Sequence, residues 1–254
     1  MRAWELGPGR LMIAGAFSDL AIHHHPAVQI TVGGHGCLAV TDDRDAQDLC
    51  RVVVIASGER HAVRSDADSG ALTLYLKLHT PQGIALNTLV RQRDQRQGIW
   101  TVGAGQRLAE ATAASLEANG PHATADFLVN ELRGMDDRRS DGSRSVHPQL
   151  RRAIEVVSSR MPDHVDVASV AGAVALSTDY LGRLCKQQTG VSFSATIRWE
   201  RLVTAVSHLL DGRSVTDAAH LAGFADGSHA TKVCWEMTGT TPRELAQAVR
   251  ETRI

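Results

Sequence analysis

The sequence predicts a two-part chain. An N-terminal all-β barrel with an appended helix pair precedes a C-terminal all-α domain, in which two helix-turn-helix units are joined by a connector helix. Three observations predict it. Strand-length apolar runs punctuated by turn residues fill about the first 100 positions. A charged segment without an apolar residue follows at 136–145. An internal repeat of helical character occupies the last third.

The strand runs are 27–32, 37–41, 51–55 and 71–78, rich in Val, Ile, Leu and Thr. Between them stand Gly33-Gly34, Asp42-Asp43, Ser57-Gly58 and Asp68-Ser69-Gly70. Short strands at that spacing suggest an antiparallel barrel or sandwich. From Gln106 the period changes. Leu108, Thr112 and Leu116 share one helical face, and beyond Gly120-Pro121 a second helix groups Phe127, Leu128 and Leu132. The segment from Asp136 to Ser145 then has the composition of a linker. The expected division is a strand-rich domain with its helix pair at 1–135, a linker at 136–146 and a helical domain at 147–254.

Composition sets the outer bounds. A chain of 254 residues with 43% hydrophobic and 22% charged residues can build cores, which excludes a disordered chain. Lys plus Arg total 27 against 28 Asp plus Glu, so a uniformly basic nucleic-acid coat is excluded. The four cysteines form no CxxC pair, which suits a reducing compartment. The apolar stretch at 11–17 is too short for a secretory signal, and no run reaches the roughly 18 apolar residues of a membrane span. The expectation is a soluble cytoplasmic protein with no membrane partner.

The repeat is specific. Val167-Ala-Ser-Val-Ala171 aligns with Val215-Thr-Asp-Ala-Ala219 at an offset of 48. Arg183-Leu-Cys-Lys-Gln-Gln-Thr-Gly190 aligns with Lys232-Val-Cys-Trp-Glu-Met-Thr-Gly239 at an offset of 49, the extra residue falling where a turn lies. Each unit reads as a short helix, a tight turn and a second helix closed by glycine. Asp166, Ser177 and Ser214 stand at N-cap positions. Ile197, Leu202, Val206, Leu209 and Leu210 mark the buried side of a connector helix, and Thr241-Pro-Arg-Glu244 is a capping box. A two-unit solenoid fits less well, because a long helix intervenes. Two helix-turn-helix units fit, each laying its second helix in a major groove.

These residues resemble the AraC family of transcription regulators. The resemblance runs from His147 onward, through Leu176-Ser-Thr-Asp-Tyr-Leu-Gly-Arg-Leu-Cys-Lys186, Arg201-Leu202, Ala222-Gly-Phe-Ala-Asp226 and Gly239-Thr-Thr-Pro242. It implies two helix-turn-helix units per chain reading adjacent major-groove segments of double-stranded DNA. The base-reading positions it implies are Asp179, Gly182 and Arg183 in the first unit, and Ser228, Thr231 and Lys232 in the second. Ser177, Thr178, Lys186 and Arg198 complete the implied DNA-binding set. Arg183 is the strongest reader, since a guanidinium pairs bidentately with guanine, whereas Gly182 has no side chain to donate. Where the family carries larger side chains this sequence has Cys185, Ala230 and Cys234, and Trp235 replaces a basic residue, so looser packing is expected. Net charge adds little: from Val146 onward 12 basic residues meet 11 acidic ones.

In the N-terminal half, His23-His-His25 is followed by Gln29, Gly36 and, after a glycine turn, His61. This spacing resembles the two motifs of cupin barrels, with Gln29 where a glutamate usually stands and Ser65 in place of a late asparagine. The barrel is therefore expected to be cupin-like. His23, His25, Gln29 and His61 are the expected effector site. His23, His25 and His61 are the expected ligands should a divalent transition metal bind; the alternative is a polar pocket or cross-strand hydrogen bonding. Residues two apart in a strand share a face, so His23 and His25 project together.

The expected function is a DNA-binding transcription activator controlled by a small-molecule effector, not an enzyme, with RNA polymerase as a partner. The resemblance favours a homodimer formed through the helix pair at 106–132. The alternatives are a metal-dependent cupin enzyme with an accessory helical domain, or a metal- or redox-sensing regulator using Cys37 or Cys50. No nucleophile–histidine spacing and no phosphate loop supports other catalysis.

Overall fold

A computed structural model of the chain describes residues 2–7, 9–15, 20–65, 69–93, 98–135, 146–161, 163 and 165–250. Apart from Val146, the linker expected at 136–146 lies outside the described residues.

The N-terminal half carries strands β1 (Arg2–Glu5), β2 (Arg10–Gly15), β3 (Ala27–Gly33), β4 (Leu38–Asp42), β5 (Gln47–Cys50), β6 (Val52–Ile55), β7 (His61–Ser65), β8 (Ala71–Lys77) and β9 (Ile99–Thr101). They form two antiparallel sheets, one ordered β1-β2-β8-β3-β6-β9 and one ordered β5-β4-β7. Strand alternation sorts the side chains of the large sheet. Met12, Val28, Ile30, Val32, Val54, Leu74 and Leu76 point to its outer face. Leu11, Ile13, Val53, Ile55 and Tyr75 point inward, toward Leu38, Val40 and Val63 of the small sheet.

The barrel expected from the sequence takes the form of two antiparallel sheets whose inner faces share one apolar cluster. Among the described residues no ladder joins the two sheets; an isolated bridge between His23 and His61 links them instead. The chain changes sheet abruptly, with only Arg51 between β5 and β6. One apolar cluster runs from the inner sheet faces into Trp199, Leu202 and Val206 of the C-terminal half.

Helices α1 (Pro81–Gln92) and α2 (Gly105–Gly134) cover the outer face. Thr80 caps α1, accepting from Gly83 N at 3.1 Å, with Pro81 at its first turn. The helix pair is present as two halves of α2, broken at Gly120 (φ 76°) before Pro121. Thr124 Oγ1 lies 3.2 Å from Ser115 Oγ; an unbroken helix would hold residues nine apart about 13 Å from each other. The halves therefore fold back on one another. Leu108, Leu128, Val129 and Leu132 are buried against the sheet, each worth about 1.5–3 kcal/mol. The apolar face expected to recruit a second subunit is thus covered by the chain's own sheet.

The C-terminal half is helical: α3 (Pro148–Arg160), α4 (Val167–Ala173), α5 (Thr178–Thr189), α6 (Phe193–Leu210), α7 (Val215–Leu221), α8 (Gly227–Thr238) and α9 (Pro242–Arg250). α6 is the connector, with Ile197, Leu202, Val206 and Leu209 buried and Leu210 partly so. Among the described residues no helix is long and apolar enough to cross a membrane.

Candidate nucleic-acid interface and histidine cluster

Caps define the two helical units. Asp166 accepts from Ser169 N at 2.8 Å to open α4, and Ser177 from Tyr180 N at 3.2 Å to open α5. Ser214 accepts from Asp217 N at 3.0 Å to open α7, and Asp226 from His229 N at 2.7 Å to open α8. The turn between helices places Ala175 (φ 54°) in the first unit and Gly223 (φ 77°) in the second in the left-handed region. Gly190 and Gly239, also left-handed, close α5 and α8. Glu244 and Thr241 form the expected capping box, Thr241 N donating to Glu244 Oε2 at 2.7 Å.

α5 and α8 each bury one face and expose the other. Leu181, Leu184 and Cys185 are inward in the first, Ala230, Val233 and Cys234 in the second. Both cysteines are fully enclosed, with Cys185 Sγ 3.4 Å from Thr189 Oγ1. Ser177, Thr178, Asp179, Arg183 and Lys186 are exposed along α5, with Gly182 half-buried among them. Ser228, Thr231 and Lys232 are exposed along α8.

Not all of these groups are free. Ser177 is occupied as a cap, Thr231 Oγ1 donates to Gly227 O at 2.8 Å, and Lys186 Nζ donates to Gly190 O at 2.6 Å. Arg198, half-buried, lies 3.6 Å from Glu236, which also stands 3.9 Å from Lys232 Nζ. Arg183 has no ion-pair partner among the described residues. Two exposed aromatics on the same helices, Tyr180 and Trp235, were not among the expected DNA contacts. An aromatic on the outer face of a helix was the available signal.

In the N-terminal half His23, His25 and His61 do meet, and all three are buried. His23 N donates to His61 O at 2.9 Å and His61 N to His23 O at 3.0 Å. Ring centroids are 4.4 Å apart for His23–His61, 5.2 Å for His25–His61 and 5.8 Å for His23–His25. Each Nδ1 donates to a backbone carbonyl: His23 to Ala21 at 2.8 Å, His25 to Ala27 at 3.2 Å, His61 to Glu59 at 2.8 Å. The Nε2 atoms of His25 and His61 lie 2.9 and 3.0 Å from Gln29 Oε1, while His23 Nε2 is buried without a partner. Gln29 Nε2 donates to Thr31 Oγ1 at 2.9 Å. Burial lowers the pKa of His23 to about 4 and of His25 to about 3, and holds His61 well below its ordinary value. All three are neutral at neutral pH. Ser65 is buried in β7 but forms no part of the trio.

The cluster lies where the two halves dock. The Trp199 ring, from α6, is 5.2 Å from the His25 ring and 5.5 Å from Tyr75. Gly239 O accepts from Ala21 N at 3.3 Å and Glu236 O from His24 N at 3.4 Å. A Cβ on Gly239 would stand 2.6 Å from Ala21 O and 2.9 Å from His23 Nδ1. At the other unit a Cβ on Gly190 would stand 2.8 Å from Arg91 Nη2, and one on Gly58 2.9 Å from Val191. Lys77 Nζ reaches Glu200 Oε2 at 2.7 Å across the same boundary, and Ser158 Oγ donates to that oxygen at 2.8 Å. Trp199 was missed as a contact to the cluster, because nothing local distinguishes it from its own domain's core.

Three of the cysteines are held as thiols. Burial pushes Cys50 up to about 12, and Cys185 and Cys234 are raised by the same cause.

The helix-turn-helix domain family matches residues 170–248. The chain is 26% identical over 243 residues to the transcriptional activator RhaS of Citrobacter koseri, across 89% of this chain and 87% of that one. It is 29% identical over 132 residues to the arabinose operon regulatory protein of Escherichia coli, across 49% of this chain and 45% of that one. Several curated relatives are matched over less than half of their own length. Among solved structures, ToxT of Vibrio cholerae is similar with a TM-score of 0.64 at 14% identity, covering 95% of this chain and 98% of that one. ToxT bound to an unsaturated fatty acid gives a TM-score of 0.61 at 15% identity, with 96% of each chain covered. At these identities the likeness to ToxT is one of fold: a sheet-rich N-terminal domain followed by a helical C-terminal domain.

Proposed function

We propose that this chain, which belongs to the AraC family of transcription regulators, is an activator that lays α5 and α8 in successive major-groove segments under the control of an effector. The observation that carries this reading is the pair of capped, repeat-related units with outward polar faces at 170–248. In such units the second helix reads base edges and the flanking groups hold phosphates. Arg183, exposed and unpaired, is the principal base reader. Lys232, Ser228 and Thr231 serve the second unit, and Arg198 and Lys186 supply phosphate contacts once released from Glu236 and from the Gly190 carbonyl. The relatives are regulators rather than enzymes, so the metal-dependent enzyme alternative is set aside.

Control by an effector is supported by the docking of both units against the histidine-bearing loops. A ligand-bound relative of the same fold, ToxT with a fatty acid, gives the idea a parallel. The effector acts through His23, His25, Gln29 and His61, and the activator reading implies contact with RNA polymerase. Dimer formation, if it uses the helix pair, proceeds through its polar outer face. Sedimentation of the full chain tests this, a strict monomer at high concentration contradicting it.

A gel-shift with the fragment upstream of the chain's own operon tests the main reading. The expected result is a specific shift that resists random competitor DNA. Equal competition by specific and random DNA under every effector condition would overturn it.

A further inference from the structure

We propose that His23, His25 and His61, with Gln29 Oε1 as a fourth donor, bind one divalent transition-metal ion, and that this ion governs how both helix-turn-helix units are held. The proposal rests on the reading of the chain as an effector-controlled regulator, and names the class of effector.

The donor geometry supports an ion. Each imidazole gives its Nδ1 hydrogen to a backbone carbonyl, at Ala21, Ala27 and Glu59. That fixes the tautomer and turns three bare Nε2 lone pairs inward, the arrangement that metal-ligating histidines adopt. Two of them face Gln29 Oε1 with no hydrogen between. Reversing the Gln29 amide would satisfy His25 and His61, yet His23 Nε2 would still have no partner. A cation at the centre satisfies all four atoms at once.

The size of the space agrees. The three histidine ligand atoms lie within 4.8 Å of one another. Around a tetrahedral ion with bonds of about 2.0–2.1 Å, ligands stand about 3.4 Å apart, so each ring needs to draw in by less than about 1 Å. Rings this close, with Trp199 and Tyr75 against His25, leave no room for an organic molecule. Imidazole suits zinc, nickel, copper and iron, and four neutral donors favour reversible occupancy over a permanent structural site.

The position of the ion gives it leverage. The loop carrying His23 and His25 touches the second unit at Gly239 and Glu236. The loop leading to His61 touches the first unit at Gly190 and Val191. Trp199, from the helix that connects the units, lies on His25. Drawing the two loops together therefore moves the seats of both units in one step.

The test uses full-length protein, prepared without an affinity tag, stripped by chelator and titrated with Zn²⁺ and separately with Co²⁺. Elemental analysis after desalting is expected to find about one ion per chain, and Co²⁺ to show the visible spectrum of a four-coordinate site. Loaded and stripped protein are expected to differ about fivefold or more in affinity for the upstream fragment. Gln29→Glu puts a charged oxygen in the same place and is expected to tighten Zn²⁺ about tenfold, so the proposal does not depend on His→Ala variants that fail to fold. His24→Ala, outside the cluster, is expected to leave uptake unchanged. Uptake below about a fifth of an ion per chain by folded wild type overturns the site, and leaves the regulator reading standing if the specific shift persists. One ion per chain with equal DNA affinity in both forms overturns the control assigned to it. Stoichiometric uptake with no specific shift in either form overturns that control as well, and marks the failure as that of the regulator reading.

Discussion

The two repeat-related helical units share a plan of caps and buried faces but differ in which charged groups they leave unpaired and in how they are tied down. In the first, Arg183 stands clear of any ion pair. In the second, Lys232 and Arg198 both lean on Glu236, whose backbone carbonyl also takes the His24 N–H. A Cβ on the closing glycine of the first unit would meet the flexible end of Arg91 at 2.8 Å and the Ser57 carbonyl oxygen at 3.0 Å, whereas one on that of the second would meet the Ala21 backbone at 2.6 and 2.9 Å. The first unit thus leaves its arginine unpaired, while the closing glycine of the second is the one held more closely against backbone of the N-terminal half. The repeated positions are alike in the scaffold and unlike at the contacts.

The largest expected effect comes from the closing glycines. Gly239→Ala combines a left-handed backbone (φ 68°) with a Cβ that would stand 2.6 Å from a backbone oxygen. A loss of about 2–4 kcal/mol is expected from strain plus overpacking. Gly190→Ala shares the strain; Arg91 can swing aside and the Ser57 carbonyl oxygen, at 3.0 Å, is met less closely than Ala21 O, so a smaller loss of about 1–3 kcal/mol is expected. Urea denaturation of the two variants measures the difference, and equal losses would erase the asymmetry in docking.

Next comes the asymmetry in reading. Arg183→Ala is expected to cost about 1–3 kcal/mol on the specific site and to relax preference at one base position. Lys232→Ala is expected to weaken specific and random DNA alike and to lower the salt slope by about one. Competition binding over a salt series checks both; uniform loss for Arg183→Ala would place it on a phosphate instead.

A smaller gain is expected from Glu236→Gln. Removing the carboxylate frees Lys232 and Arg198, so affinity for any DNA sequence should rise by about twofold to fivefold, consistent with the modest strength of exposed ion pairs. No gain, measured by fluorescence anisotropy on random duplex, would mean that the pairs do not compete with DNA. The smallest effect lies in the turns. Ala175 is exposed and left-handed where the second unit has Gly223. Ala175→Gly should stabilise by about 0.5–1 kcal/mol as a rise in Tm, and a fall would show that the two turns differ in shape.

The helical half was legible because its signals are local. Asp166, Ser177 and Ser214 cap as their spacing suggests, and Gly190 and Gly239 close as the repeat implies. The sheet half was less so. β5 (Gln47–Cys50) is a polar edge strand and β9 has three residues, both too weakly patterned to announce themselves. The signals for α1 at Thr80-Pro81 are diluted by Gly83 and Asn87 inside the helix. The packing of α6 residues into one cluster with the inner sheet faces is a long-range outcome that no window of sequence contains. The histidine trio was readable from spacing, but its roof was not: Trp199 comes from 138 positions beyond His61.

Hydroxyl-radical footprinting of the full chain on its upstream fragment tests most directly that the two units read adjacent grooves with unequal grip. The expected pattern is two protected segments on one face of the duplex, about one helical turn apart. Arg183→Ala should erase the sequence preference of one segment while leaving the other in place. A single protected segment, or protection without sequence preference in the wild type, would contradict it.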